Sequence, residues 1–189
     1  MHDDLGAGLS RIKFLSETIG IKRQQQQSFD EDINKIREYS HEMIDKMGEI
    51  VWALNEKNDT LSDLLSYTRS YAVEYLSQNG IACTVKAPEH FPTTFVSGEF
   101  RRNIYLTVKE ALHNIVKHAQ ASAVIIKVDL DSKLKIEIRD NGTGFDKAKI
   151  RSFSNGLSNM ETRISNINGR FEILNGLGTT IQIIVPLPV

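Results

Sequence analysis

The sequence holds a single cysteine, Cys83, in 189 residues. That excludes an internal disulfide framework and a multi-cysteine zinc site, and it suits a reducing cytosol. An excess of one charge is also missing: 23 Lys and Arg stand against 24 Asp and Glu, for a net charge of −1. Such a balance gives no whole-chain case for nucleic acid, which is bound by a basic face. No apolar run approaches the ~18 residues of a membrane span, and no stretch reads as a signal peptide. Membrane attachment is therefore expected only through segments outside this stretch. Proline is absent from residues 1–57, so nothing there breaks a helix. What is present is 40% hydrophobic and 25% charged, an ordinary globular composition. The length suits one ordinary domain, or a small one plus an accessory element.

The proline-free region reads as two helices. Leu5, Leu9, Ile12, Leu15 and Ile19 recur at spacings of three and four on the first. Ile33, Ile36, Ser40, Met43, Met47, Ile50 and Leu54 keep the same rhythm on the second. Between them IKRQQQQSFDED reads as a solvated loop, with Ser28 and Glu31 spaced as a capping box. Two such helices make a hairpin whose apolar stripes are half covered. Pairing with a second copy as a four-helix bundle would bury them; the alternative is a helical arm packed on its own domain.

A break falls near Asn58–Thr60, which divides the chain into 1–57 and 58–189. Thr60 and Asp63 form a further capping box, and a third helix follows to Gly80. IACTVKAP reads as a strand and GEFRRNIYLTVKEALHNIVKHA as one long helix. AVIIKVDL and KLKIEIRD are strands, the second alternating Leu134, Ile136 and Ile138. GLSNMETRISNING is a helix, and RFEIL and TTIQIIVPL are closing strands. The fold class is α+β: a helical hairpin followed by one sheet covered by helices.

Four stretches of the second region carry chemistry. In KEALHNIVKHA, Glu110 and Asn114 share a helix face and Lys117 and His118 follow one turn later. An oxygen ligand, a carboxylate and a cation on one face could hold a hydrated Mg²⁺ and the phosphates it neutralises; an ordinary solvated face is the alternative. DNGTGF follows a strand. It is either a simple Asn-Gly turn or a place where Gly142 and Gly144 let the backbone approach a flat ligand while Asp140 accepts from an exocyclic amine. In NGLSNM, Gly156 opens a helix whose free N–H groups suit phosphate, or simply starts it. GLGTT precedes the last strand and has the composition of a hairpin turn.

Taken in order, the N-H-A helix, D-x-G-x-G, a short basic segment, N-G-L and G-x-G-T resemble the Bergerat ATP-binding fold of the GHKL superfamily, over roughly residues 61–189. Gyrase-type, chaperone, mismatch-repair and histidine-kinase ATPases share that fold. HDDLGAGLSRIKFLSE, at the start of the chain, resembles the H-D-x-L-G phosphoacceptor box of sensor histidine kinases of the NarL/DesK type. IVWALNEKND resembles the junction such kinases carry before their ATPase domain, so the resemblance extends over the whole chain.

The resemblance implies a Bergerat-type α/β sandwich after a dimerising hairpin. It implies ATP and Mg²⁺, autophosphorylation on His2 with Asp3 as its acid–base neighbour, and transfer to an aspartate on a response-regulator receiver. It places Glu110 on the catalytic helix face, Asn114 at Mg²⁺, and Lys117 and His118 at phosphates. Asp140 would take the adenine amino group, with Gly142 and Gly144 shaping the pocket, Gly156 and Leu157 on its lid side, and Thr179 supporting adenine through water. It further implies a homodimer and a cytoplasmic location.

On a wheel of 3.6 residues per turn His2 lies about 80° from Ile12, at the margin of the apolar stripe, and Asp3 falls on the far side. The segment DKAKIRSFSN is a short lid offering Lys147, Lys149 and Arg151 to phosphate. Ala7 stands where subfamily members that dephosphorylate their partner often carry Gln, which implies weak phosphatase activity. The alternative is that Ala7, between Gly6 and Gly8, permits close helix packing. Two rival functions are a GHKL serine kinase of the anti-sigma type, which would lack the H-D-x-L-G hairpin, and a non-catalytic nucleotide-binding scaffold, which Asn114 and the glycine motifs argue against.

Overall fold

The computed structural model describes residues 2–55, 59–89, 91–144 and 154–187; the side chains of residues 2–5, 42, 45, 46, 49, 50, 53, 54, 154 and 155 are not among those described. Two compact units divide at Leu54 and Asn55.

The first unit is a pair of helices, α1 (His2–Gln24) and α2 (Asp30–Leu54). The connection is shorter than the sequence suggests, because α1 continues through Gln24 and α2 begins at Asp30. The expected Ser28–Glu31 capping box does not form. Ser28 Oγ donates to Asp30 Oδ2 at 3.2 Å, while Glu31 pairs with Lys35 at 2.6 Å. Three acids in the first turn of α2 complement its dipole instead. Lys22 and the buried Asp32 close the loop end with a 2.5 Å ion pair.

Apolar cover within this unit is thin. Met43, 6% exposed, is the buried hydrophobic side chain among those described, and it packs on Gly8, where a Cβ would lie 2.5 Å from Met43 Sδ. Gly8 is thus the close-packing residue, and Ala7 is exposed. Leu9, Phe14, Ile21, Ile33, Ile44, Met47 and Val51 all stay exposed. Phe14, Ile21, Ile44 and Val51 lie outside the stripes read from the sequence. Of those stripes, the side chains of Leu5, Ile50 and Leu54 are outside the described set.

The second unit starts with α3 (Leu61–Gln78), capped as expected. Thr60 Oγ1 accepts from Asp63 N at 3.1 Å, and Asp63 Oδ2 accepts from Thr60 N at 3.4 Å. Its far end is a Schellman turn: Gly80 N–H bonds Ser77 O, and Ile81 N–H bonds Leu76 O, with Gly80 at φ +71°. Next come β1 (Ala82–Lys86), α4 (Gly98–Asn114), β2 (Ala123–Leu130), β3 (Lys133–Asp140), α5 (Ser154–Ser165), β4 (Arg170–Gly176) and β5 (Gly178–Pro186). The long helix read from the sequence is not α-helical throughout, since Ile115–Ala119 forms a π turn at its end.

The strands form one sheet in the order β1-β2-β3-β5-β4, with β1 parallel to β2 and every other pair antiparallel. One face is apolar: Val124, Ile126, Leu134, Ile136, Ile138 and Ile183 are buried, as are Leu64, Leu76, Ile104, Leu112, Met160 and Ile164 of the helices. This alternation is what a half-covered sheet demands. The opposite face is polar, with Lys127 opposite Glu137 and Gln182 donating to Glu137 at 2.9 Å. Among the described residues, no helix is long and apolar enough to cross a membrane.

Candidate nucleotide-binding site

The sheet order puts the end of β3 beside the start of β5. Asp140, the last residue of β3, is 2% exposed. Its Oδ1 accepts from Gly142 N at 2.8 Å and its Oδ2 from Thr179 N at 3.2 Å. Two backbone amides therefore fix the carboxylate and leave lone pairs for a ligand donor. Gly178 sits at φ +92° with no room for a Cβ against the Asp140 carbonyl, so only glycine allows this approach.

The turn after β3 is tied to the π turn. Thr143 N donates to Ala119 O at 2.9 Å, and Gly142 lies so close to Ala119 that a side chain would not fit. Asn141 Oδ1 accepts from Ser122 N and Ala123 N at 3.0 and 2.9 Å, which anchors the turn to the start of β2. DNGTGF is thus a clamp between the end of the long helix and the sheet rather than a free hairpin turn.

These elements enclose a cleft of about 660 Å³, within the usual range for a small-molecule site. Of the residues expected at the site, Asn114, Lys117, His118, Asp140, Gly144, Leu157 and Thr179 line it. Gly142 stands behind the wall, on Ala119. Glu110 and Gly156 also stand outside the lining and adjoin each other, a Cβ on Gly156 falling 2.5 Å from Glu110 Oε1. His2 and Asp3 belong to the first turn of α1 in the other unit, and their side chains are outside the described set. Lys147, Lys149 and Arg151 of the expected lid lie outside the described residues.

Sequence reading missed part of the lining. Ile173 and Asn175 of β4 face Ile181 and Thr179 of β5 across the ladder, and Thr143 and Ala119 join them in the wall. Period-two alternation could have nominated Ile181 with Thr179, but the β4 residues depend on which strand pairs with β5.

Asp140 brings an acceptor and Lys117 a cation to the same lining. Lys117 and His118 are exposed, and Asn114 is half-buried. No cluster of three or more His, Cys, Asp or Glu among the described residues could hold a metal by itself. Asn114 contributes a side-chain amide to the lining beside Lys117 and His118. On the outer side of α4, burial and the nearby Lys109 and Lys117 charges hold His113 neutral, with its pKa lowered to about 4.

A mixed sheet backed by helices, with a buried aspartate at one strand end and Asn114, Lys117 and His118 lining the same cleft, is an arrangement able to hold a nucleotide and its phosphates. The comparisons are specific. Residues 100–189 match the family described as histidine kinase-, DNA gyrase B-, and HSP90-like ATPase. Sensor histidine kinase LiaS of Bacillus subtilis (strain 168) is 34% identical over 97 residues, 50% of this chain and 27% of that protein. Sensor histidine kinase YvfT of the same organism is 27% identical over 192 residues, 99% of this chain and 48% of that protein. The chain thus spans between about a quarter and a half of the length of these curated relatives. Among solved structures, the Acinetobacter baumannii histidine kinase AdeS superposes with a TM-score of 0.61 at 14% identity, covering 100% of this chain and 99% of that one; this likeness is one of fold. Over nearly its whole length the chain is thus similar to sensor histidine kinases, and over residues 100–189 to this ATPase family.

Proposed function

We propose that this chain is the transmitter part of a two-component sensor, with a dimerising phosphotransfer hairpin over residues 1–57 and a catalytic ATP-binding domain over 58–189. The observation that carries the reading is the convergence of Asp140, Thr179, Asn114 and Lys117 on one cleft of nucleotide size. Asp140 accepts the adenine amine beside the two amides that orient it, and Thr179 and Gly144 line the same base. Asn114 offers its side-chain oxygen to Mg²⁺, and Lys117 and His118 face the phosphates. Bound Mg²⁺ would supply charge neutralisation at the phosphates. Leu157 covers the cleft on the α5 side, Gly142 keeps the clamp on Ala119 closed, and Gly156 leaves space for Glu110.

His2 is the nucleophile in this reading. Its imidazole attacks the γ-phosphorus of ATP in line, the bond from that phosphorus to the β,γ-bridging oxygen breaks and ADP leaves. Asp3 fixes the tautomer and stabilises the cation formed, and Glu110 serves the catalytic helix face. The exposed apolar residues of α1 and α2 support a homodimer. The phosphoryl group then passes to a response-regulator aspartate, in the cytoplasm. The test is incubation of the chain with γ-labelled ATP and Mg²⁺. An acid-labile, alkali-stable label that is lost in His2→Gln is expected. An acid-stable label, or one retained in His2→Gln, would overturn the assignment in favour of a serine kinase or another acceptor.

A further inference from the structure

The helix that forms the phosphate-facing wall changes pitch inside the cleft. α4 keeps α geometry to Asn114, Ile115–Ala119 forms the π turn, and Gln120 ends it in the left-handed region at φ +51°. A π turn is rarer and less favourable than an α turn, and it persists where its surroundings fix it. Here it has a consequence for the site. Asn114, Ile115, Lys117, His118 and Ala119 all line the cleft. The cleft wall at this end of the helix is therefore built by the last α turn and the π turn together.

A pitch change of this kind has to be held at both ends. The downstream end is held by the clamp already described, Thr143 N on Ala119 O. The upstream end is held from α3. His113 Nε2 shares a 2.9 Å hydrogen bond with the Tyr71 hydroxyl, and its ring lies 4.7 Å from that of Tyr75. Tyr71 is fixed in turn: it stacks on Tyr75 at 5.6 Å and 8°, meets Tyr105 edge-on at 5.5 Å, and has Lys109 Nζ 5.7 Å from its ring centre. Neither His113 nor Tyr71 lines the cleft, so neither is available to touch a nucleotide.

We infer that His113 is a positioning residue: anchored by Tyr71, it fixes the last α turn of α4 so that the π turn presents Asn114, Lys117 and His118 to the phosphates. This rests on the nucleotide reading above and adds to it a second layer of residues, outside the cleft lining. Sequence spacing conceals the role, because His113 is adjacent to Asn114 yet packs on Tyr71 and Tyr75 rather than lining the cleft.

The experiment uses the full chain. Tyr71→Phe keeps the ring packing and removes only the hydroxyl; His113→Ala removes the anchor; His113→Gln returns a polar group near the Nε2 position. Loss of one neutral hydrogen bond sets the scale, about fivefold to tenfold. The turnover number of Mg²⁺-ATP autophosphorylation should fall by that factor in Tyr71→Phe and in His113→Ala. The double variant should be no worse than His113→Ala alone, and His113→Gln should recover most of the loss. Affinity for ADP in metal-free buffer should stay within about twofold, because the adenine contacts lie on β3 and β5. Amide hydrogen exchange over 115–119 should speed up in both single variants, with β3 unaffected. Equal losses of turnover and metal-free ADP affinity, or additive effects of the two substitutions, would reduce the pair to ordinary packing and overturn the inference. Should the unaltered chain take no label from ATP, the nucleotide reading fails by itself. Exchange then decides the positioning role alone, and unchanged protection of 115–119 in Tyr71→Phe refutes it.

Discussion

Removing the Asp140 carboxylate tests the base of the cleft most directly. Its two oxygens accept Gly142 N at 2.8 Å and Thr179 N at 3.2 Å from a side chain that is only 2% exposed. In Asp140→Ala both amides lose their acceptor. They border a cleft large enough for water, so each costs nearer 1 than 3 kcal/mol of folding stability. The ligand loses more, because an adenine amine brought into the cleft would find no acceptor at its base. A loss of about 1–3 kcal/mol in binding corresponds to roughly fivefold to 150-fold in affinity. Asp140→Asn sharpens the argument. An amide keeps the shape but has one oxygen, so an NH₂ must face one of the two backbone amides. That same NH₂ can donate to the carbonyl that guanine carries where adenine has its amine. Asp140→Asn should therefore narrow the preference for ATP over GTP, while Asp140→Ala weakens both. Calorimetric titration with each nucleotide, below the melting temperature of each variant, separates binding from stability. Unchanged ATP affinity in Asp140→Ala would refute the adenine assignment, whatever happened to the melting temperature.

Other consequences can be checked alongside. Met47 and Val51 are 57% and 65% exposed on α2, so Met47→Glu with Val51→Glu should give monomers by light scattering while helix content is kept; a wild-type monomer at micromolar concentration would sink the bundle. Met43 is the wrong place for that test, because it packs on Gly8 within one hairpin. Ala7 is exposed and free of the packing role, so Ala7→Gln should speed dephosphorylation of a phosphorylated regulator with ADP present and ATP absent. Autophosphorylation should survive that change, and rapid phosphate loss with unaltered Ala7 would contradict the reasoning. His113 is neutral in the fold down to about pH 4, against an ordinary value of 6.5. The unfolded chain therefore takes up a proton first as pH falls. Stability should be fully present above pH 6.5 and decline toward pH 4 by about 1–2 kcal/mol after discounting for solvent screening. Lys109 and Lys117 repel that proton and Tyr71 and Tyr75 bury the ring, so denaturant melts in metal-free buffer should show the slope shrinking in His113→Gln.

What the sequence determined by itself was local. Leucine and isoleucine at spacings of three and four specify α1 and α2 because a helix face repeats at that period. Thr60 and Asp63 fix the start of α3 by bonding each other's backbone amides, an interaction complete within four residues. Alternation of Leu134, Ile136 and Ile138 specifies β3, and seven of the sixteen described residues lining the cleft were legible as motif residues. Tertiary structure decided whatever depends on residues far apart in the chain. Asp140 meets Thr179 only because β3 pairs with β5, and Asn175 joins them only because β5 also pairs with β4. Helical spacing runs straight through Asn114, whereas the π turn beyond it is held by Thr143 on one side and adjoins an α4 turn pinned by Tyr71 on the other. Likewise Gly6, Ala7 and Gly8 are three small residues in a row until α2 packs on one of them. Local hydrogen bonds and side-chain period are written in neighbouring residues. Pitch changes, close approaches and cleft walls are set by contacts that exist only once the chain has folded.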